Sequence, residues 1–204
     1  NWGTFTNNKK ITKCDLTGVT DWGRTPTLPD AAFSNCTALQ EVTLPDDMKV
    51  IGGGAFFGCA ALTKVNLSQV TWINLNAFWE CTSLETLALN NVTAIGREAF
   101  YGCTGLETLK IPKCTQFGNY IVTGCKALTR IEATAAGDFV DISYGTSSIE
   151  RSAVFHNRDG HTGDNAFDPA KCDLVLNADK QYGGTSPPPP QPTTNGLWGK
   201  TAPP

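Results

Sequence analysis

Between Ile51 and Ile111 the chain writes one pattern three times: I-G-G-G-A-F-F-G-C-A-A-L-T-K-V-N-L, I-N-L-N-A-F-W-E-C-T-S-L-E-T-L-A-L and I-G-R-E-A-F-Y-G-C-T-G-L-E-T-L-K-I. Cys36, Cys59, Cys81, Cys103 and Cys125 follow at intervals of 23, 22, 22 and 22 residues. Ala32-Phe33, Ala55-Phe56, Ala77-Phe78 and Ala99-Phe100 keep step, with Ile121-Val122 in the fifth copy. Several columns repeating together decide the architecture before any local propensity does.

One such unit cannot bury its apolar face alone, but stacked units turn each apolar column into a continuous ladder. The L-x-x-V-x-L segment alternates with period 2, which predicts a short strand with Val42/Leu44, Val65/Leu67, Leu87/Leu89 and Leu109/Ile111 inward. Successive strands then pair in parallel. The A-F-x-x-C segment is expected on the opposite wall as a helical or 3-10 turn.

The A-F-x-x-C-x-x-L-x-x-I-x-L-P unit, carried by Ala32 to Pro45 and again by Ala99 to Pro112, resembles the BspA-like leucine-rich repeats of bacterial surface proteins. The likeness covers residues 28 to 133. It implies an α/β solenoid, right-handed, with strands on one face and helical turns on the other. It also implies a secreted or cell-surface, adhesive role with no catalytic residues, any export signal lying outside this chain.

A net charge of −3 over 204 residues, without a basic stripe, argues against nucleic acid. No apolar run approaches the roughly 18 residues of a membrane span, so no membrane insertion is expected. Of the eight cysteines, five occupy one ladder column. Neighbouring rungs point side chains the same way, poor geometry for a disulfide, so buried thiols are expected there. Cys14, Cys114 and Cys172 stand outside that column, and their pairing is open.

The chain divides into a repeat domain, 1–178, and a Pro-rich tail, 179–204. Within the domain, 1–27 is an amino-terminal cap with a first strand around Ile11, Cys14 and Leu16, plugged by Trp2, Phe5 and Trp22. Regular turns run from 28 to 133. Residues 134–178 form an irregular carboxyl-terminal cap, in which D-F-V-D-I-S is expected to add a strand or hairpin. Ala166-Phe167 with Leu174-Val175-Leu176 reads as a decayed last turn. The four consecutive prolines of the tail favour an extended rod.

The chemistry available is sparse. His156 and His161, with Asp159, Asp164 and Asp168, form the only cluster of potential metal ligands. Their spacing fits no zinc or calcium motif, and Asp, Asn and Gly make ordinary turns. No metal or cofactor is expected. G-x-S-x-G is absent. Gly52-Gly53-Gly54 sits in the turn each repeat uses, which argues against a phosphate loop.

The outward strand residues are the candidate binding face: Glu41, Thr43, Lys64, Asn66, Thr86, Ala88, Thr108, Lys110, Arg130 and Glu132. Phe57, Trp79 and Tyr101 form a second candidate, an aromatic ladder on the convex wall, with packing between turns as its main expected role. The sequons at Asn35, Asn66 and Asn91 are read as chance. The expected function is a non-enzymatic surface module that binds a protein or glycan of a host or neighbouring cell. The alternatives are a spacer that presents another domain and, third, a hydrolase.

Overall fold

The computed structural model describes residues 4–134, 140–141 and 172–176. It is a parallel β-solenoid whose elements are all strands and turns. Each turn supplies two strands to two separate walls. One wall is built from the L-x-x-V-x-L segments: β1 (Lys13–Asp15), β3 (Glu41–Thr43), β5 (Lys64–Val65), β7 (Thr86–Ala88), β9 (Thr108–Lys110), β11 (Arg130–Ala133) and β13 (Asp173–Leu176). The other holds β2 (Thr27–Leu28), β4 (Val50–Ile51), β6 (Trp72–Ile73), β8 (Ala94–Ile95), β10 (Gln116–Phe117) and β12 (Val140–Asp141) in one six-stranded parallel sheet.

The register follows the repeat. Cys14 pairs with Val42, Val42 with Val65, and Leu87 with Leu109. The first strand expected in the amino-terminal cap is therefore β1, and D-F-V-D-I-S supplies β12. Leu174 to Leu176 lie in β13, paired with β11. Trp2, residues 142–171, the histidine cluster and the Pro-rich tail lie outside the described residues.

The expectation of a helical or 3-10 turn at A-F-x-x-C is corrected: no helix occurs among the described residues. The amides show why. Ala31, Phe33 and Asn35 donate N–H across the stack to the carbonyls of Gly53, Ala55 and Phe57, at 2.9, 2.7 and 2.6 Å. The alternate residues Ala32, Ser34 and Cys36 close i→i+3 turns onto Pro29, Ala31 and Phe33. A helix would keep nearly every amide within the segment. Here half of them leave it. The alternation needs a left-handed backbone twice per turn, at Ala31, Gly54, Asn76, Glu98 and Tyr120, and again at Asn35, Gly58, Glu80, Gly102 and Gly124.

The core is the set of stacked columns. Phe33, Phe56, Phe78 and Phe100 are fully buried. Phe5 from the first turn heads this column, with ring centroids at 5.1, 5.5, 5.2 and 5.7 Å from rung to rung. The near-parallel offset stacking that aromatic rings favour is thus repeated four times. Beside it runs the cysteine column. All eight cysteines are free thiols. The five ladder thiols each donate to a phenylalanine carbonyl of the preceding turn: Cys36 to Phe5, Cys59 to Phe33, Cys81 to Phe56, Cys103 to Phe78 and Cys125 to Phe100, at 3.0 to 3.1 Å. A small apolar side chain that still donates fits this place, since the carbonyl it meets is buried.

Candidate functional site

The candidate strand face is where alternation places it. Val42, Leu44, Leu87, Leu89, Leu109 and Ile111 are buried, and Val65 is partly so. Lys64, Thr86, Ala88 and Arg130 are exposed, while Glu41, Thr43, Asn66, Thr108, Lys110 and Glu132 are half-exposed.

Its charges pair with one another. Glu41 sits between Lys13 at 3.0 Å and Lys64 at 2.6 Å, two ion pairs across three rungs. Glu132 takes Arg130 at 2.7 Å and Lys110 at 3.7 Å. The Lys64 hydrogen bond, then that of Lys13, holds the Glu41 carboxyl below the usual carboxylate range. Glu132 is lowered mainly by Arg130, whose own guanidinium is raised in return. Between the two triads Thr86, Ala88 and Thr108 form a neutral band. Asn66 is turned into the wall rather than out of it: its Oδ1 accepts from the Leu44 N–H at 2.6 Å and its Nδ2 donates to the Leu44 carbonyl at 2.9 Å.

Threonine richness has a structural origin elsewhere on the chain. Thr63, Thr71, Thr93 and Thr129 each donate a hydroxyl to a carbonyl one rung back, at 3.2 Å. Asn91 bridges rungs as well, donating to the Ser68 carbonyl and accepting from Lys113. Two of the three sequon carboxamides are therefore engaged in the stack.

Phe57, Trp79 and Tyr101 stack in sequence at 5.6 and 3.8 Å, each half-buried. This is packing between turns. Beside them a groove of about 430 Å³ is lined by Asn35, Gly58, Glu80, Thr82, Tyr101 and Gly102, among others. The Gly triplet serves packing: a Cβ on Gly52 would stand 2.5 Å from the Leu28 carbonyl, and the Gly53 N–H is capped by Asp30 Oδ1 at 2.6 Å.

Five of the eight thiols are made poor nucleophiles by burial. Burial pushes Cys59 and Cys172 up to about 12, and Cys81, Cys114 and Cys125 are raised strongly by the same cause. A protonated, enclosed thiol neither attacks nor ligates. No cluster of three His, Cys, Asp or Glu among the described residues is placed to hold a metal ion. No helix among them is long and apolar enough to cross a membrane.

Two features escaped sequence reasoning. One is the second sheet, because its strands are only two residues long. The other is the left-handed column before the cysteines, which Gly58-Cys59, Gly102-Cys103 and Gly124-Cys125 could have signalled.

Parallel strands stacked at a 22-residue period around leucine ladders define a leucine-rich repeat solenoid. The chain belongs to the family described as BspA type leucine rich repeat region, whose model matches residues 3–129 in six copies. It is similar to the T. pallidum Leucine Rich Repeat protein at 23% identity and TM-score 0.57, over 66% of this chain and 70% of that one. It is also similar to a leucine-rich repeat protein from Bacteroides ovatus, at 23% identity and TM-score 0.59, over 86% of this chain and 42% of that one. The pneumococcal vaccine antigen PcpA shares 18% identity with TM-score 0.52, over 83% of this chain and 42% of that one. These likenesses are of fold, and the chain spans less than half of the last two proteins. No curated protein sequence matches it.

Proposed function

We propose that the chain is a non-enzymatic binding module of a secreted or surface-displayed protein, meeting a protein or glycan of a host or neighbouring cell through the strand face. The observation that carries this reading is the face itself. It holds outward residues of parallel strands paired in register, β1 with β3 and β5, and β7 with β9 and β11, above buried ladders. Binding then costs little ordering. Membership of a bacterial surface-repeat family supports the surface location, and one structural neighbour is a vaccine antigen.

A second reading, a spacer that presents another domain, is favoured by one feature. Glu41 and Glu132 neutralise the cations beside them, and Asn66 is spent on Leu44.

The test is an array of glycans and extracellular-matrix proteins, probed with the chain and with a folded Lys64→Glu/Lys110→Glu variant. A hit lost in the variant supports the strand-face module. No hit with the folded wild-type chain favours the spacer.

A further inference from the structure

We infer that the strand face is two half-faces joined by a hinge at the seam between β5 and β7. This rests on the strand face as the binding surface only for its purpose, not for its existence.

The seam is visible in the main chain. At four junctions of this wall two successive amides share one carbonyl of the rung before. Gln40 and Glu41 donate to Thr12, Thr63 and Lys64 to Gln40, Glu107 and Thr108 to Glu85, and Thr129 and Arg130 to Glu107. The amides in the same places at the junction between β5 and β7, those of Glu85 and Thr86, make no such bond to Thr63. β5 and β7 are not paired, and the wall divides into a three-stranded sheet, β1-β3-β5, and a four-stranded sheet, β7-β9-β11-β13.

Burial agrees independently. Leu67 and Leu87, one on each side of the seam, are each 5% exposed, whereas Leu44, Leu89, Leu109 and Ile111 are at 0%. Val65 is the one inward strand residue of β3 to β9 that is only partly buried.

Asn66 accounts for the side on which the wall parts. Elsewhere the Leu16, Leu89 and Ile111 amides reach the main-chain carbonyls of Thr43, Lys110 and Glu132. At Leu44 the Asn66 carboxamide takes both the amide and the carbonyl. It ties β5 to β3, and the same places hold Ala88, Lys110 and Glu132 in later rungs, none of which is a carboxamide. The opposite wall does not part: β4, β6 and β8 pair without interruption, and the Phe56–Phe78 stack spans the same junction. One wall closed and the other open is the geometry of a hinge. Each leaf carries one charged triad, Lys13–Glu41–Lys64 or Lys110–Glu132–Arg130. Flexing the seam changes the spacing between the triads, and a partner that spans both selects one spacing.

Amide hydrogen exchange on the free chain tests the hinge without a ligand. The Glu85 and Thr86 amides should exchange on the order of a hundredfold faster than Glu107 and Thr108, their equivalents one rung on. Equal protection in the two pairs overturns the proposal. A clamp supplies the second reading. Lys64 and Thr86 hold the same place in consecutive rungs, so Lys64→Cys/Thr86→Cys can be bridged by a short bis-thiol reagent. Cys14→Ser in the same chain removes the one native thiol that is not buried, and the others are enclosed in the core, which leaves the introduced pair as the reactive one. Bridging should bring the amides at positions 85 and 86 down to the exchange rate of Glu107 and Thr108. Exchange that stays fast in the bridged chain means the seam is not what exposes them, and the hinge falls. Array hits on the bridged and unbridged chains then address the purpose. An absent hit removes the binding reading while the exchange result stands.

Discussion

The turn wall and the strand wall differ most at the same rung. Across the junction between Phe56 and Phe78 the turn wall keeps its ring stack at 5.2 Å and its thiol bond from Cys81 to Phe56. It also keeps three main-chain bonds, from Gly54, Phe56 and Gly58 to Leu75, Ala77 and Trp79. The strand wall at that junction leaves β5 and β7 unpaired. The wall that looks like the sheet of the solenoid is thus the weaker leaf. The wall read as mere turns carries the stack, because its alternating amides send every second N–H to the next rung. At this junction the turn wall holds the stack and the strand wall does not.

The largest way to break this comparison is alkali, which acts on the buried thiols of the cysteine column and beside it. A thiol in the unfolded chain ionises near 8.5, while burial raises Cys59 and Cys172 to about 12 and raises Cys81, Cys114 and Cys125 as well. A raised folded value means the contribution is whole below about pH 8.5 and is lost as pH climbs toward 12. Each such thiol should remove about 1.4 kcal/mol per pH unit in that window. Urea unfolding in reductant at pH 8, 9 and 10 should show a steep fall, shallower in Cys81→Ala. Constant stability up to pH 10 would mean the thiols are not sealed in the fold.

Next in size is a matched pair of truncations. Phe78 is fully buried between Phe56 and Phe100, and Phe78→Ala should cost about 3–5 kcal/mol. Val65, inward but partly exposed at the seam, should cost only about 1 kcal/mol when cut to Ala. Equal costs in denaturant titrations would remove the distinction between the walls.

How much of this was legible depended on which bonds carry a side-chain signature. The leucine, phenylalanine and cysteine columns were readable because one residue type must fill one place in every rung. Inward Val42 and Leu44 and outward Glu41 and Thr43 followed from alternation alone. The A-F-x-x-C segment misled because Ala and Leu suit helices, whereas its conformation is set by amides that bond a rung not adjacent in sequence. Trp72-Ile73 and its equivalents are too short to show a period of 2. Asn66 read as an outward, polar binding residue. Its capture by the Leu44 amide depends on β3 and β5 lying side by side, which the residue type alone does not state. The pairing of Glu41 with Lys13 and Lys64 was hidden for the same reason.

The smallest effect bears on the turn wall's one weakness. Its two left-handed positions per turn suit glycine, which has no Cβ to meet the following carbonyl. Gly54, Gly58, Gly102 and Gly124 comply, but Ala31 holds φ at +54° with an ordinary side chain. An L-residue there carries a penalty of roughly 1–2 kcal/mol, while glycine loses more freedom on folding, by about 0.5–1 kcal/mol. All three bonds to its main chain, from its N–H to Gly53 and to its carbonyl from the Ser34 N–H and the Thr6 hydroxyl, survive the exchange. Ala31→Gly should therefore raise stability by about 0.5–1 kcal/mol, where glycine inside a regular strand or helix would lower it. A loss of stability in the same titration would show that the methyl of Ala31 packs more than its backbone strains, and that the turn wall is held by side chains rather than by its alternating amides.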